Sequence, residues 1–91
     1  MNILVVVDMQ KDFIDGALGT PEAVAIVPAV KALIKGFPGK VYFTRDTHFD
    51  NYMSTEEGKH LPVPHCIKDT EGWQIHPELD ALRTTPPIDK L

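Results

Sequence analysis

The sequence contains one cysteine, no cluster of basic residues and no long apolar run, and each shortage excludes a class of protein. A single cysteine cannot form a disulfide within the chain and fits a reducing compartment, so we expect a cytoplasmic protein. The net charge of −4 comes without a basic face, so we expect neither a nucleic-acid partner nor an anionic membrane. The longest apolar run, Ile3 to Val7, is too short to span a bilayer, and the N-terminus lacks the features of a signal peptide.

Two apolar runs with a helical pattern between them predict a βαβ unit. The run from Ile3 to Val7 is uninterrupted and largely β-branched, which is typical of an interior strand of a parallel sheet. Lys40 to Thr44 predicts a second strand, and a third is expected to begin near Ile88. Strand, helix and strand within about forty residues indicate a parallel pair joined by a right-handed crossover. The predicted fold class is therefore α/β.

The helix between the strands is expected to start with Thr20 as N-cap and Pro21 at the first position. Pro28 leaves two alternatives open, since an interior proline lacks a donor and clashes one turn back. Either the regular helix begins nearer Ala25, or it is kinked. The apolar residues at helical spacing are expected to form one stripe in the core: Val24, Val27, Val30, Leu33, Ile34 and Phe37.

The segment from Phe49 to Leu82 shows no long element, although Pro77 to Leu82 is compatible with a short helix. So long an irregular stretch in a small domain is usually functional. A parallel sheet with an interior strand also needs neighbours on both sides and helices on both faces. Residues 1–91 supply too few elements for that, and we interpret them as the first half of a larger domain.

Four potential metal ligands follow the second predicted strand. Asp46 and His48 point the same way, because side chains alternate along extended backbone, and Glu57 and His65 follow in the loop-rich segment. Two imidazoles and two carboxylates suit a divalent cation of borderline hardness, and these ligand types allow Zn, Fe or Mn. The alternative is a hydrogen-bonded loop network without a metal.

Asp8 ends the first predicted strand. In open α/β sheets the functional crevice lies at the carboxyl ends of the strands, which makes this acid a candidate catalytic group. The alternative is that Asp8 caps a turn or a helix.

Three motifs now carry a resemblance to a known family: ILVVVDMQKDF, FTRDTHFDNY and LPVPHCIKDTEGWQIHPEL. In order and spacing they resemble the N-terminal half of the isochorismatase-like cysteine hydrolases, a superfamily that includes nicotinamidases and other small amidases. The resemblance implies a doubly wound, Rossmann-like parallel sheet in a three-layer α/β/α arrangement, of which this chain would hold a part.

The resemblance also implies a catalytic triad of Asp, Lys and Cys. Asp8 matches the aspartate that takes the thiol proton, and Lys90 matches the lysine that favours the thiolate. Without the family, Lys90 would be interpreted as a solvated terminal lysine. The family's nucleophilic cysteine has no counterpart here, because Cys66 lies directly after His65 in the metal motif and is expected to be a small buried thiol. We therefore expect the chain alone to be inactive.

The metal site is implied by the nicotinamidase-like members. Asp46, His48 and His65 match three ligand positions, and Glu57 fits the fourth better than Glu56 does. In those relatives the metal binds the pyridine nitrogen of a small amide substrate, and no organic cofactor is expected. By family position Phe13 and Trp73 are substrate-pocket walls, although aromatic residues there also suit a core. Two histidines have no matching role and are expected on the surface: His60 and His76.

Two functional hypotheses follow. The first is a hydrolase of a small amide, formed by this chain with the missing part of its fold. The second is a non-catalytic remnant that forms a homo-oligomer or pairs with a partner chain, since Ile3 to Val7 would then be an exposed apolar edge. A phosphate-accepting receiver domain shares the strand-then-Asp start but requires an acidic pair that this sequence lacks.

Overall fold

The computed structural model describes residues 2–91, which form a three-stranded parallel sheet. The strands are β1 (Ile3–Val7), β2 (Lys40–Asp46) and β3 (Ile88–Lys90), in the order β1-β2-β3. Val5 lies opposite Tyr42, and Thr44 lies opposite Ile88. The predicted α/β class and the parallel βαβ unit are confirmed, and β2 extends two residues beyond its predicted end.

Four helices accompany the sheet: α1 (Lys11–Ile14), α2 (Pro21–Gly36), α3 (Glu56–His60) and α4 (Pro77–Asp80). Two 3-10 turns, at Tyr52–Ser54 and Glu71–Trp73, complete the regular structure of the described chain. The segment from Phe49 to Leu82 therefore contains short elements only, as predicted. No helix within residues 2–91 combines the length and the hydropathy needed to cross a membrane.

Helix α2 begins where its capping residues predict. The side chain of Thr20 accepts a hydrogen bond from the N–H of Ala23 at 3.0 Å, and Pro21 occupies the first turn, where its missing donor costs nothing. The helix then continues through Pro28 to Gly36. The alternative start nearer Ala25 is therefore wrong.

The predicted core stripe of α2 is only partly correct. Val27 and Ile34 are buried and Val30 packs against them, but Val24 and Leu33 are 47% and 54% exposed. At 100° per residue, Val24 and Leu33 lie about a quarter turn to either side of the helix face that carries Val27, Val30 and Ile34. The sheet beneath the helix is too narrow to cover them.

The core lies between one face of the sheet and the helices. Val6 and Phe43 turn toward that face, with Leu4 and Val41 partly buried beside them. Helices α1, α2 and α4 and the segment before α4 contribute the other core residues: Ile14, Val27, Ile34, Ile75 and Leu79. Residues 2–91 thus build two of the three layers that the resemblance implies.

The opposite face of β1 is uncovered in the described chain. Ile3, Val5 and Val7 are 54%, 50% and 58% exposed, although all three are aliphatic residues of β1. Ile88 of β3 is 50% exposed. Exposed aliphatic side chains are thus concentrated on one face of the described sheet.

The backbone of β1 is paired on one side only within residues 2–91. The N–H of Lys40 donates to the carbonyl of Asn2, and the N–H of Asp8 donates to the carbonyl of Thr44. In a parallel strand the N–H and carbonyl of one residue point toward the strand on one side, and those of the next residue point toward the other side. Asn2 and Asp8 bond to β2, so the backbone groups of the odd-numbered residues of β1 point away from β2. Within residues 2–91 β1 is therefore an edge strand, as expected for a part of the larger sheet; its interior position in that larger sheet stays a prediction.

Candidate functional site

The carboxyl ends of the three strands bring together residues from both ends of the chain. Asp8 directly follows β1, Asp46 ends β2, and Lys90 ends β3. Asp8 adopts a left-handed backbone with φ of 54°, which directs the chain out of the sheet. Such strained positions of non-glycine residues concentrate at functional sites.

Asp8 and Lys90 form an ion pair. The Nζ of Lys90 donates to Oδ2 of Asp8 at 2.7 Å, and the hydroxyl of Thr44 donates to Oδ1 at 2.9 Å. The hydrogen bond with Asp8 raises the pKa of Lys90, so the lysine is an ammonium at neutral pH. The N-cap of α1 is Gln10, so the alternative in which Asp8 caps that helix is wrong. Lys90 is 45% exposed but paired, unlike a freely solvated terminal lysine.

A second cluster contains all four predicted metal ligands. One ligand atom from each of Asp46, His48, Glu57 and His65 lies within 4.8 Å of the others. Nε2 of His48 is 3.1 Å from Oδ2 of Asp46 and 3.2 Å from Oε2 of Glu57, and Nε2 of His65 is 3.6 Å from that same oxygen. Glu57, and not Glu56, joins the cluster. Imidazole nitrogens and carboxylate oxygens grouped in this way could hold a metal ion such as Zn²⁺, which binds both kinds of ligand.

His65 is held in the orientation that a ligand needs. It is 2% exposed, and its Nδ1 is 2.7 Å from the carbonyl of Val63. A hydrogen bond from Nδ1–H to a carbonyl fixes the tautomer whose Nε2 lone pair is free to bind a cation. The ring of Phe13 packs edge-on against His65 at 5.4 Å between centroids, and Tyr52 does so at 5.1 Å.

Glu57 is presented by the first turn of α3. Thr55 caps this helix by accepting the N–H of Gly58 at 3.1 Å. Gly58 is buried against the 3-10 turn before it, and a Cβ at that position would collide with the carbonyl of Tyr52. A glycine is therefore required for α3 to approach closely enough to bring Glu57 to the histidines.

Cys66 is buried and unpaired, as a small buried thiol would be. Burial, followed by the negative charge of Asp12 and other nearby carboxylates, raises the pKa of Cys66 to about 12. The residue remains a protonated thiol at neutral pH, and a protonated, inaccessible thiol is a poor nucleophile.

The two predicted pocket aromatics lie in different surroundings. Phe13 is half-buried, and its ring packs edge-on against that of His65 in the four-residue cluster. Trp73 is 5% exposed; its indole N–H donates to the hydroxyl of Thr47, and the guanidinium of Arg45 lies 3.6 Å from the ring centroid. Trp73 is thus packed in the interior of the described chain, which corresponds to the core alternative.

Two histidines were expected at the surface. His60 is exposed. His76 is not, and that expectation is wrong: its side chain is 12% exposed, and its Nδ1 accepts the N–H of Glu78 at the start of α4. A histidine directly before a Pro-Glu helix start is well placed to cap it, which is the signal that would have identified this role.

Gln10 and Tyr52 were given no role from the sequence. Tyr52 is 1% exposed, and its ring packs against His48 and His65 while its hydroxyl donates to the carbonyl of Leu61. Gln10 is fully buried beside Asp46. Gln10 lies three residues after the end of β1, and no local pattern in the sequence identifies the role of either residue.

Comparison with known proteins gives the relatives of this chain. A family model described as the isochorismatase domain matches residues 2–91. A nicotinamidase/pyrazinamidase of Mycobacterium tuberculosis is 30% identical over 87 residues, which cover 89% of this chain and 47% of that protein. The pyrazinamidase of Pyrococcus horikoshii, solved in complex with zinc, is 40% identical, with a TM-score of 0.67 over 80% of this chain and 43% of its own. The N-carbamoylsarcosine amidase of Thermoplasma acidophilum is 28% identical, with a TM-score of 0.73 over 97% of this chain and 50% of its own. The chain therefore spans about half the length of the relatives it matches.

Proposed function

The chain belongs to the isochorismatase family, and on that premise we propose that it supplies the N-terminal half of a cysteine hydrolase acting on a small amide. Its relatives include amide-hydrolysing enzymes about twice its length. The observation that carries the proposal is the Asp8–Lys90 ion pair, which lies at the carboxyl end of the sheet. Asp46 of the metal cluster lies opposite Lys90 in the pairing of β2 with β3, which supports treating the two groups of residues as one site.

In this proposal Asp8 accepts the proton of a thiol that the remaining part of the fold provides, and Lys90 stabilises the thiolate. The sulfur attacks the amide carbon, the C–N bond breaks, and the nitrogen leaves with the proton that Asp8 had taken. Water then attacks the thioester and releases the acid and the thiol. Thr44 keeps Asp8 in place through the hydroxyl bond to Oδ1.

We propose Asp46, His48, Glu57 and His65 as ligands of a divalent metal, with Zn, Fe and Mn all compatible with their chemistry. The donor set supports this, because two nitrogens and two carboxylate oxygens converge beside the catalytic pair. A bound metal would supply a Lewis acid that anchors the ring or carbonyl of the amide. Phe13 would then form one wall of the substrate pocket. Because the chain has a single cysteine, we also propose that the protein works in a reducing compartment, the cytoplasm.

The direct test is to assay ammonia release from nicotinamide and pyrazinamide. We expect no turnover from the 91-residue chain, because Cys66 is buried and protonated. A chimera that joins residues 2–91 to the remaining part of the Pyrococcus horikoshii pyrazinamidase is expected to hydrolyse one or both amides. Turnover by the chain alone that survives Cys66→Ala would contradict the proposed role of an external thiol. A folded chimera that is inactive on a panel of small amides would contradict the hydrolase itself.

The uncovered edge of β1 favours a second candidate, in which this chain acts as a non-catalytic protein that associates with another copy or with a partner chain. Ile3, Val5 and Val7 present aliphatic side chains at this edge, together with backbone groups that have no strand partner within residues 2–91. Such an edge is a template for pairing with another chain.

If that second candidate is correct, Val5→Lys should reduce self-association of the isolated chain. The lysine places a charge in the middle of the apolar edge, which opposes strand pairing. We expect light scattering at high concentration to show oligomers for the parent chain and a shift toward monomer for Val5→Lys. Val24→Lys, at a similarly exposed position of α2, is the matched control and should leave the distribution unchanged. A parent chain that stays monomeric would argue against association through β1.

A further inference from the structure

Gln10 is a fully buried polar residue at the N-cap of α1, between the end of β1 and the end of β2. Its carboxamide makes three hydrogen bonds, all to backbone. Oε1 accepts the N–H of Asp46 at 2.8 Å, and Nε2 donates to the carbonyl of Asp46 at 2.9 Å. The second Nε2 hydrogen goes to the carbonyl of Trp73 at 2.8 Å. Both donors of the side chain are therefore used, and two of its three partners belong to one residue.

The direction of the chain explains why a side chain is needed there. Thr44 accepts the N–H of Asp8, so alternate residues of β2, including Asp46, turn their backbone groups toward β1. At Asp8 the chain leaves the sheet through its left-handed backbone, and no β1 backbone reaches Asp46. Gln10 takes that place, because a carboxamide carries the same donor and acceptor as a peptide group. The parallel ladder is thus extended by one pairing through a side chain.

We propose that Gln10 is a positioning residue for the metal cluster, acting through the backbone of Asp46. The inference rests on the metal site proposed above. Bonds to both the N–H and the carbonyl of Asp46 fix the orientation of that peptide segment, and hence the direction in which its carboxylate points toward His48, 3.1 Å away. The bond to Trp73 ties the same carboxamide to the loop before α4, so Gln10 joins β2 to the packed interior. Outer residues that orient ligands in this way typically change metal affinity by roughly 10–100-fold when replaced.

The test compares zinc affinity in the 91-residue chain by competition with a chromophoric chelator. Gln10→Met keeps the length of the side chain and removes every hydrogen bond, and Gln10→Glu keeps the acceptor and removes both donors. We expect each to bind zinc roughly 10–100-fold more weakly per folded molecule, with an altered visible spectrum of the cobalt complex. Ile14→Val, a buried change on the same helix without polar contacts, controls for general loosening of the core and should keep the parent affinity.

Amide hydrogen exchange at Asp46 supplies a readout that needs no metal. Loss of the Gln10 acceptor should speed exchange of the Asp46 N–H selectively in Gln10→Met, while amides in the middle of β2 remain protected. Parent affinity in folded Gln10→Met, or unchanged exchange at Asp46, overturns the inference. If the parent chain binds no zinc, the proposed metal site fails, and the exchange result alone decides whether Gln10 holds Asp46. If Gln10→Met does not fold, Gln10→Asn, one methylene shorter, provides the same comparison.

Discussion

Asp8→Asn is expected to lower kcat/KM of the completed hydrolase by about 10²–10⁴-fold, the range that a positioned proton acceptor contributes. Asparagine has the shape of aspartate and can still accept the Thr44 hydroxyl through Oδ1, but it cannot take a proton from a thiol or pair with the Lys90 ammonium. The measurement is ammonia release from nicotinamide or pyrazinamide by the chimera. Zinc affinity should stay within a fewfold of the parent, because Asp8 is not one of the four proposed ligands.

Asp50→Asn is the matched control for this change, since Asp50 is an exposed acid outside both clusters. It removes the same charge from the protein and should leave turnover unaltered. A chimera whose Asp8→Asn variant retains parent kcat/KM would exclude Asp8 as the proton acceptor, even if the enzyme is an amidase.

His65→Ala is expected to weaken zinc binding by roughly a few hundredfold. Structural zinc sites with four ligands gain about 10–16 kcal/mol, so one ligand accounts for about 2.5–4 kcal/mol, and each 1.4 kcal/mol is a factor of ten. His65 is the most buried of the four residues, and its Nδ1 is already engaged with the carbonyl of Val63. Chelator competition measures the constant directly, and circular dichroism checks that the variant is folded.

His60→Ala is the control for the zinc experiment. His60 ends α3, three residues beyond Glu57, but it is exposed and outside the cluster. Its removal should leave the affinity unchanged. Equal losses from His60→Ala and His65→Ala would mean that zinc binds to scattered surface histidines, and the proposed ligand set would be rejected.

The strand–helix–strand core was predictable because local chemistry and tertiary contacts agree there. The aliphatic run of β1 and the Thr20-Pro21 start of α2 each identify their element from a few neighbouring residues. The proximity of Asp46 and His48 was predictable for a similar reason, since they lie two positions apart at the end of a strand, whereas metal binding there stays a prediction. Resemblance then added the role of Lys90, which no local pattern indicates.

What the sequence could not predict depends on the width and the edges of the sheet. The helical spacing of Val24 and Leu33 is that of a core stripe, and only the small area of sheet under α2 leaves them exposed. The role of Gln10 depends on the chain turning away at Asp8, so that a side chain has to complete the ladder. A distinction between Trp73 as pocket wall and as core requires its contacts with Arg45 and Thr47.

The ion pair between Asp8 and Lys90 also has a consequence for the order of events when the protein is made. The two residues are 82 positions apart, so their contact closes nearly the whole loop of the chain. Contacts of this separation form late, because the entropy of closing the loop must be lost before the contact can compensate for it. During synthesis, Asp8 and the end of β1 leave the ribosome long before β3 is complete. In a nascent chain Asp8 would therefore be present without Lys90, and the ion pair would form only after β3 has docked against β2.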